Sequence, residues 1–152
     1  MGVGPSATAD DHAALVELLG REPQAEYRVV RRDAQGRPSV IENAPLLDDG
    51  TPMPTRYWLV DPSLRLAVSR LEAAGGVRRA EADVDPGALS AAHARYAAER
   101  DAALPPAHTG PRPSGGVGGT ARGVKCLHAH LAYRLAGGDD PVGRWVEEQL
   151  DR

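Results

Sequence analysis

An α+β domain, a small antiparallel sheet of about three strands covered by about five helices, is the fold class the sequence predicts. Three observations carry that expectation. β-Branched residues gather in two short runs, YRVVRR and SVIENA, around the turn-forming stretch DAQGRP. The dipeptide Asp-Pro occurs at 61–62, 85–86 and 140–141, each time ahead of apolar residues at helical spacing. The 152 residues include no Phe, and aromatics make up 4%, so Leu, Val and Ala must fill the interior. Small side chains let helices approach closely, which favours helical layers over a thick sandwich. A mostly helical fold with one hairpin is the nearest competitor.

Residues 1–9 read as a flexible lead, followed by a single domain over 10–152. Asp10 or Asp11 is suited to cap a first helix through about Leu19, with Leu15, Leu18 and Leu19 on one side and Gly20 ending it. Val29, Val30, Val40 and Ile41 then mark a hairpin whose turn contains Asp33, Gly36 and Pro38. In LDDGTPMPT, Gly50, Pro52 and Pro54 force an extended path, and TRYWLV is the third strand.

At each Asp-Pro, Asp accepts from the free N–H groups of the first turn, while Pro fits where no N–H is needed. Leu64, Ala67, Val68 and Leu71 form a core stripe after the first, closed by Gly75-Gly76. Leu89, His93 and Tyr96 share a stripe after the second, and Val142, Trp145 and Val146 after the third. Residues 103–120, ALPPAHTGPRPSGGVGGT, have little apolar material and read as a long loop, either disordered or a cover over a site.

Composition narrows the function classes. The net charge of −3 gives no global attraction for nucleic acid or an anionic membrane. No apolar run approaches the roughly 20 residues a bilayer span needs. A single cysteine rules out an internal disulfide, so a cytoplasmic setting is the simplest expectation. Arg28, Arg31, Arg32 and Arg37 make a basic hairpin, read first as solvated surface.

The stretch GVKCLHAH, 123–130, concentrates the reactive chemistry. In a continuous helix over 122–136, Val124, Leu127, Leu131 and Leu135 face the core with His128 beside them. Cys126, His130 and Tyr133 then fall on the other side, so Cys126 and His128 stand about 160° apart and cannot meet. They meet only if the helix begins after Cys126, which the surrounding glycines permit. A cysteine there, beside Lys125, would have its thiolate favoured by the helix dipole. The bland alternatives are a buried apolar Cys126, a hydrogen-bonded His128 and a surface His130. His93 shares an inward stripe, so it is either packed core or an acid–base group.

The runs LDDGTPMPTRYWLVDP, VSRLEAAGGVR, AHARY and GVKCLHAHLAYRLAGGDDPVG resemble an uncharacterised actinobacterial family, the domain of unknown function numbered five hundred and one, over about Tyr27 to Trp145. The resemblance supplies no activity. It implies that Lys125 to His128, and His93 with Tyr96, are family features. Many relatives are expected to carry cysteine where Asp33 stands and Cys or His where Asp61 stands. With carboxylates at both places here, no metal is expected.

The expected function is a small enzyme or ligand-binding domain for an anionic small molecule. Cys126, His128 and His93 are its catalytic candidates. Lys125, Arg56, Tyr96 and Asp61 are the substrate-binding candidates. No cofactor is named. The alternative, implied by the resemblance, is a non-catalytic interaction protein linked to cell division or polyphosphate metabolism. In it the Cys-His run is buried core, and Tyr57, Trp58 or the basic hairpin meets a protein partner.

Overall fold

The structure, a computed structural model, describes residues 8–151. The expected lead at 1–9 therefore lies almost wholly outside the described residues. In chain order the elements are α1 (Ala9–Leu19), β1 (Tyr27–Arg32), β2 (Pro38–Asn43), β3 (Tyr57–Leu59), α2 (Pro62–Ala73), α3 (Gly76–Asp83), α4 (Pro86–Ala102), α5 (Leu127–Leu135) and α6 (Pro141–Leu150). A single turn of 3-10 helix at Val117–Gly119 precedes α5. This is a small α+β fold with one three-stranded antiparallel sheet in the order β1-β2-β3.

Strand β2 is buried along its whole length, and its alternation divides the interior. Ile41 faces one side, where it packs with Leu15, Val29 and Val60 under α1. Val40 faces the other, where Tyr57, Leu59, Val68, Leu127 and Leu131 belong to the main core. The register pairs Val40 with Leu59 and Ile41 with Trp58, so Trp58 lies on the α1 side of the sheet.

The three Asp-Pro starts form as expected. Asp61 accepts from the Leu64 N–H, Asp85 from Ala88, and Asp140 from Val142 and Gly143. The first helix starts differently. Thr8 is its cap, and Asp11 completes a reciprocal capping box instead of capping the helix itself. Asp11 also receives both terminal nitrogens of Arg32, at 2.7 and 2.9 Å, so it joins α1 to β1.

A sixth helix, α3, was not expected. Gly75-Gly76 does not end helical structure but turns a corner: Gly75 adopts φ +86°, and α3 starts at Gly76. A Cβ at Gly76 would lie 2.6 Å from the Leu71 carbonyl oxygen, so glycine is what allows two helices to meet so tightly.

The absence of Phe is met by tyrosine. Tyr57, Tyr96 and Tyr133 pack ring on ring, with centroids 5.0 to 6.2 Å apart. Each hydroxyl has a partner: Tyr96 accepts from the Arg56 N–H, Tyr57 from the Arg56 side chain, and Tyr133 donates to Glu99.

The long loop is anchored from below. Arg100, 1% exposed, donates to the carbonyls of Pro54, Ser114 and Gly115. Leu104, Pro113, Gly116 and Val117 are buried, so the segment is not uniformly exposed. No helix among the described residues is long and apolar enough to cross a membrane.

Candidate functional site

Helix α5 begins after Cys126, and that boundary decides the geometry. Cys126 is extended (φ −147°, ψ 117°) and serves as the cap residue, so it leaves the helical progression that would separate it from His128. Its Sγ lies 3.9 Å from His128 Nδ1. The continuous helix over 122–136 does not form; the alternative start after Cys126 occurs, and thiol and imidazole meet across one residue.

A third group completes the corner. Glu72, on the last turn of α2, places Oε1 3.2 Å from His128 Nδ1. Its Oε2 accepts from the Leu127 N–H at 2.9 Å, satisfying one free donor of the α5 first turn. The donor atoms of Glu72, Cys126 and His128 all lie within 4.8 Å of one another. On the far side of the ring, His128 Nε2 lies 3.2 Å from both the Arg65 carbonyl and Ser69 Oγ.

The electrostatics follow from these neighbours. Burial alone would raise the Cys126 thiol, but His128 and the Ala129 N–H of the first turn overcome it. The thiol is therefore held below its ordinary value, with Glu72 opposing. The hydrogen bond with Cys126 raises His128, burial opposes that, and Glu72 adds to the rise.

Cys126 and His128 open onto a cavity of about 530 Å³. Trp58, Leu59 and Val60 make its sheet wall, and Arg65 and Ser69 of α2 stand beside His128. Arg21 also lines it, its guanidinium carbon 6.0 Å from the centre of the Trp58 ring. Gly118 contributes backbone from the loop, so residues expected to be a cover do reach this cavity.

The other sequence candidates lie elsewhere. His93 is 3% exposed; its Nδ1 accepts from the Val117 N–H at 3.0 Å, and its Nε2 faces the Gly123 carbonyl at 2.9 Å. Burial lowers its basicity. It fastens the loop, and a Cβ at Gly116 would come within 2.6 Å of its Nδ1. Tyr96 belongs to the tyrosine cluster, where burial pushes its hydroxyl up to about 12. Arg56 is held by Glu42, the Glu99 carbonyl and Tyr57, outside the Cys126 cavity. Asp61 is occupied by the α2 cap and by Ser39 Oγ. Lys125 is exposed and makes no ion pair among the described residues.

His130 corrects an expectation. It is fully buried, not on the surface, with Nδ1 2.7 Å from Asp140 Oδ2. α5 is covered on nearly every side, with Leu127, Ala129, Leu131, Ala132 and Tyr133 buried as well, so His130 is enclosed too, beside His93 at 5.6 Å between ring centres. In the basic hairpin, Arg28 pairs with Glu42 and Arg32 with Asp11.

Glu72, Arg65, Ser69, Trp58 and Arg21 complete the site without any signal in the sequence that links them to Cys126. Glu72 reads as an ordinary exposed helix residue, because its partner is 54 positions away.

These features define a small α+β domain with a thiol–imidazole–carboxylate corner in an open cavity. The family model described as Protein of unknown function (DUF501) matches residues 29–148, and the chain belongs to that family. No curated protein and no solved structure matches the chain at a significant level.

Proposed function

We propose that this protein binds an anionic small molecule in the Cys126–His128 cavity and presents that molecule's reactive end to the thiol and imidazole. The observation that carries the reading is convergence. One cavity brings together Cys126, His128, a flat aromatic wall at Trp58 and two arginines, Arg21 and Arg65. Trp58 offers a stacking surface, the arginines take up negative charge, and the polar groups that fix orientation are few, as in small-molecule sites generally.

Cys126 and His128 are the groups that meet the reacting atoms, and Lys125, exposed and next to Cys126 in the chain, adds positive charge outside the cavity lining. His93, Tyr96, Arg56 and Asp61 act in this reading as supports: His93 holds the loop carrying Gly118, and the others fix the sheet and α2. The setting we propose is the actinobacterial cytoplasm, where a lone thiol stays reduced.

The test is titration of the protein with phenyl phosphate and inorganic phosphate, followed by calorimetry. Phenyl phosphate should bind more tightly, through Trp58. Arg65→Ala and Arg21→Ala should each weaken both ligands several-fold, and Trp58→Ala should remove the preference for the aromatic one. If a panel of phosphate and carboxylate compounds gives no heat and no shift in melting temperature, the reading falls.

A further inference from the structure

His128 poses an electrostatic problem at its Nδ1. Nε2 lies 3.2 Å from both the Arg65 carbonyl, which can only accept, and Ser69 Oγ, which can accept or donate, so a proton on Nε2 satisfies both. Nδ1 faces the Glu72 carboxylate at 3.2 Å and the Cys126 sulfur at 3.9 Å. A carboxylate oxygen, a cysteine sulfur and a ring nitrogen converge within 4.8 Å of one another, and with the sulfur as thiolate a positive charge at that point holds them together. A proton supplies one such charge. A divalent cation supplies it while engaging all three donors at once.

We propose that Glu72, Cys126 and His128 bind a single zinc ion, with the remaining coordination position open to the cavity. The proposal rests on the reading of that cavity as an anion-binding pocket and names the group that receives the anion. The donor set is one sulfur, one imidazole nitrogen and one carboxylate oxygen, a mixture that suits zinc and excludes magnesium or calcium. Zinc bond lengths of about 2.0 to 2.3 Å in a tetrahedral arrangement put neighbouring donors about 3.3 to 3.7 Å apart. The separations of 3.2 and 3.9 Å bracket that range, and the third, between Glu72 and Cys126, lies within 4.8 Å, so small side-chain adjustments close the set.

The outer partners are also those of a metal site. A ligating histidine donates its other N–H to a carbonyl, and Arg65 O is in place to accept it. A ligating carboxylate is held by a further hydrogen bond, and the Leu127 N–H donates it to Glu72 Oε2. Two of the ligands lie at the start of α5 and the third on α2, so helix packing positions them instead of loop closure. Three protein ligands with a fourth position facing a cavity is the pattern of a catalytic zinc, not a structural one. Zinc with a thiolate, a carboxylate and a neutral imidazole is uncharged overall. The positive charges of Arg21 and Arg65 are then left for the incoming anion. The expectation of no metal counted only Asp33 and Asp61 as neighbours of the Cys-His run, and Glu72 lay outside that view.

Cobalt substitution tests the site directly. The metal-stripped protein should bind one equivalent of Co²⁺ with a thiolate charge-transfer band and the intense visible bands of a tetrahedral ion. Zinc should displace it. Cys126→Ser should abolish the charge-transfer band. Glu72→Gln, whose amide oxygen can still accept from Leu127, and His128→Asn should each weaken zinc by more than the roughly 100-fold that loss of an outer partner costs. Circular dichroism confirms that each variant is folded. A folded wild-type protein that gives no cobalt spectrum and loses zinc to a weak chelator overturns the proposal. Phosphate binding to the metal-stripped protein that is as tight as to the zinc form also overturns it, while leaving the pocket reading intact. Zinc binding without any anion binding would do the reverse.

Discussion

His128 and His130 are two residues apart on α5, yet their rings sit in different surroundings. His128 is partly exposed at the cavity, its two nitrogens facing Glu72 with Cys126 on one side and Arg65 with Ser69 on the other. His130 is fully buried, bound through Nδ1 to Asp140, and its Nε2 has no partner among the described residues. Asp140 in turn caps α6 with its other oxygen, so the inner pair ties α5 to α6. Residue type alone does not separate a reactive histidine from a structural one. What separates them is whether the partners are fixed by the fold for its own stability or left facing a cavity.

The comparison breaks most visibly at Asp140. Asp140→Ala removes the cap of α6 and leaves the buried His130 ring with neither nitrogen paired. A lost cap costs about 1 kcal/mol and an unsatisfied buried group about 1 to 3, so a total near 3 kcal/mol is expected. His128→Ala should cost less than about 1 kcal/mol, since water reaches the cavity side of its ring. Urea denaturation of the two variants measures the contrast. Equal losses would mean that the cavity corner is core.

His93 belongs with His130 on the structural side. His93→Ala deprives the Val117 N–H and the Gly123 carbonyl of a partner at once, which should cost about 2 kcal/mol. Hydrogen exchange should quicken at Val117, while Cys126 keeps the same rate with a thiol reagent. A change in thiol rate as large as that in a His128 variant would move His93 to the cavity side.

The same contrast explains what could be read from the sequence. Capping and β-branched runs are local signals, so the hairpin, β3 and five helices were legible, three of the helices with their Asp-Pro starts. Helix α3 was not, because Gly75-Gly76 is a local stop signal whose meaning here depends on a close approach to Leu71. At the site, Cys126 and His128 were legible because one residue separates them and only the helix boundary was open. Glu72, Arg65 and Trp58 were not, because each reaches the corner through the packing of α2 and the sheet on α5. His130 was misread for a related reason: a single apolar stripe suggests one buried face, whereas packing encloses α5 on nearly every side.

Acid sharpens the comparison at a third place, where a carboxylate is structural and has no part in the cavity. The Arg32 guanidinium holds the Asp11 carboxyl well below the usual carboxylate range, with burial opposing and the Thr8 amide assisting. Because the folded value is depressed, the stabilisation is fully present above the unfolded value of about 3.9 and is lost as pH falls towards the folded one. Asp11→Asn should therefore cost about 1 to 2 kcal/mol at neutral pH. The gap from wild type should narrow as pH falls below about 4. Denaturation curves at several pH values give the answer, and a gap that widens with acid would refute the assignment.

A small effect is expected at Asp61, and it is the most discriminating for the cavity. Asp61 begins α2, the helix that carries Arg65, Ser69 and Glu72, so it lies close in sequence to three residues of the corner. Its own oxygens are committed to other groups: one accepts from the Leu64 N–H at 3.1 Å and the other from Ser39 Oγ at 3.2 Å. Asp61→Ala should thus cost about 1 kcal/mol, the value of a lost helix cap, with Pro62 still favouring the helix start. Fraying of one turn would end before Glu72, three turns further along. Zinc affinity, phosphate affinity and the thiol rate of Cys126 should all match wild type, even though stability falls. Were Asp61→Ala to weaken zinc as Glu72→Gln does, Asp61 would be the missing fourth ligand, and the coordination position assigned to the anion would already be filled.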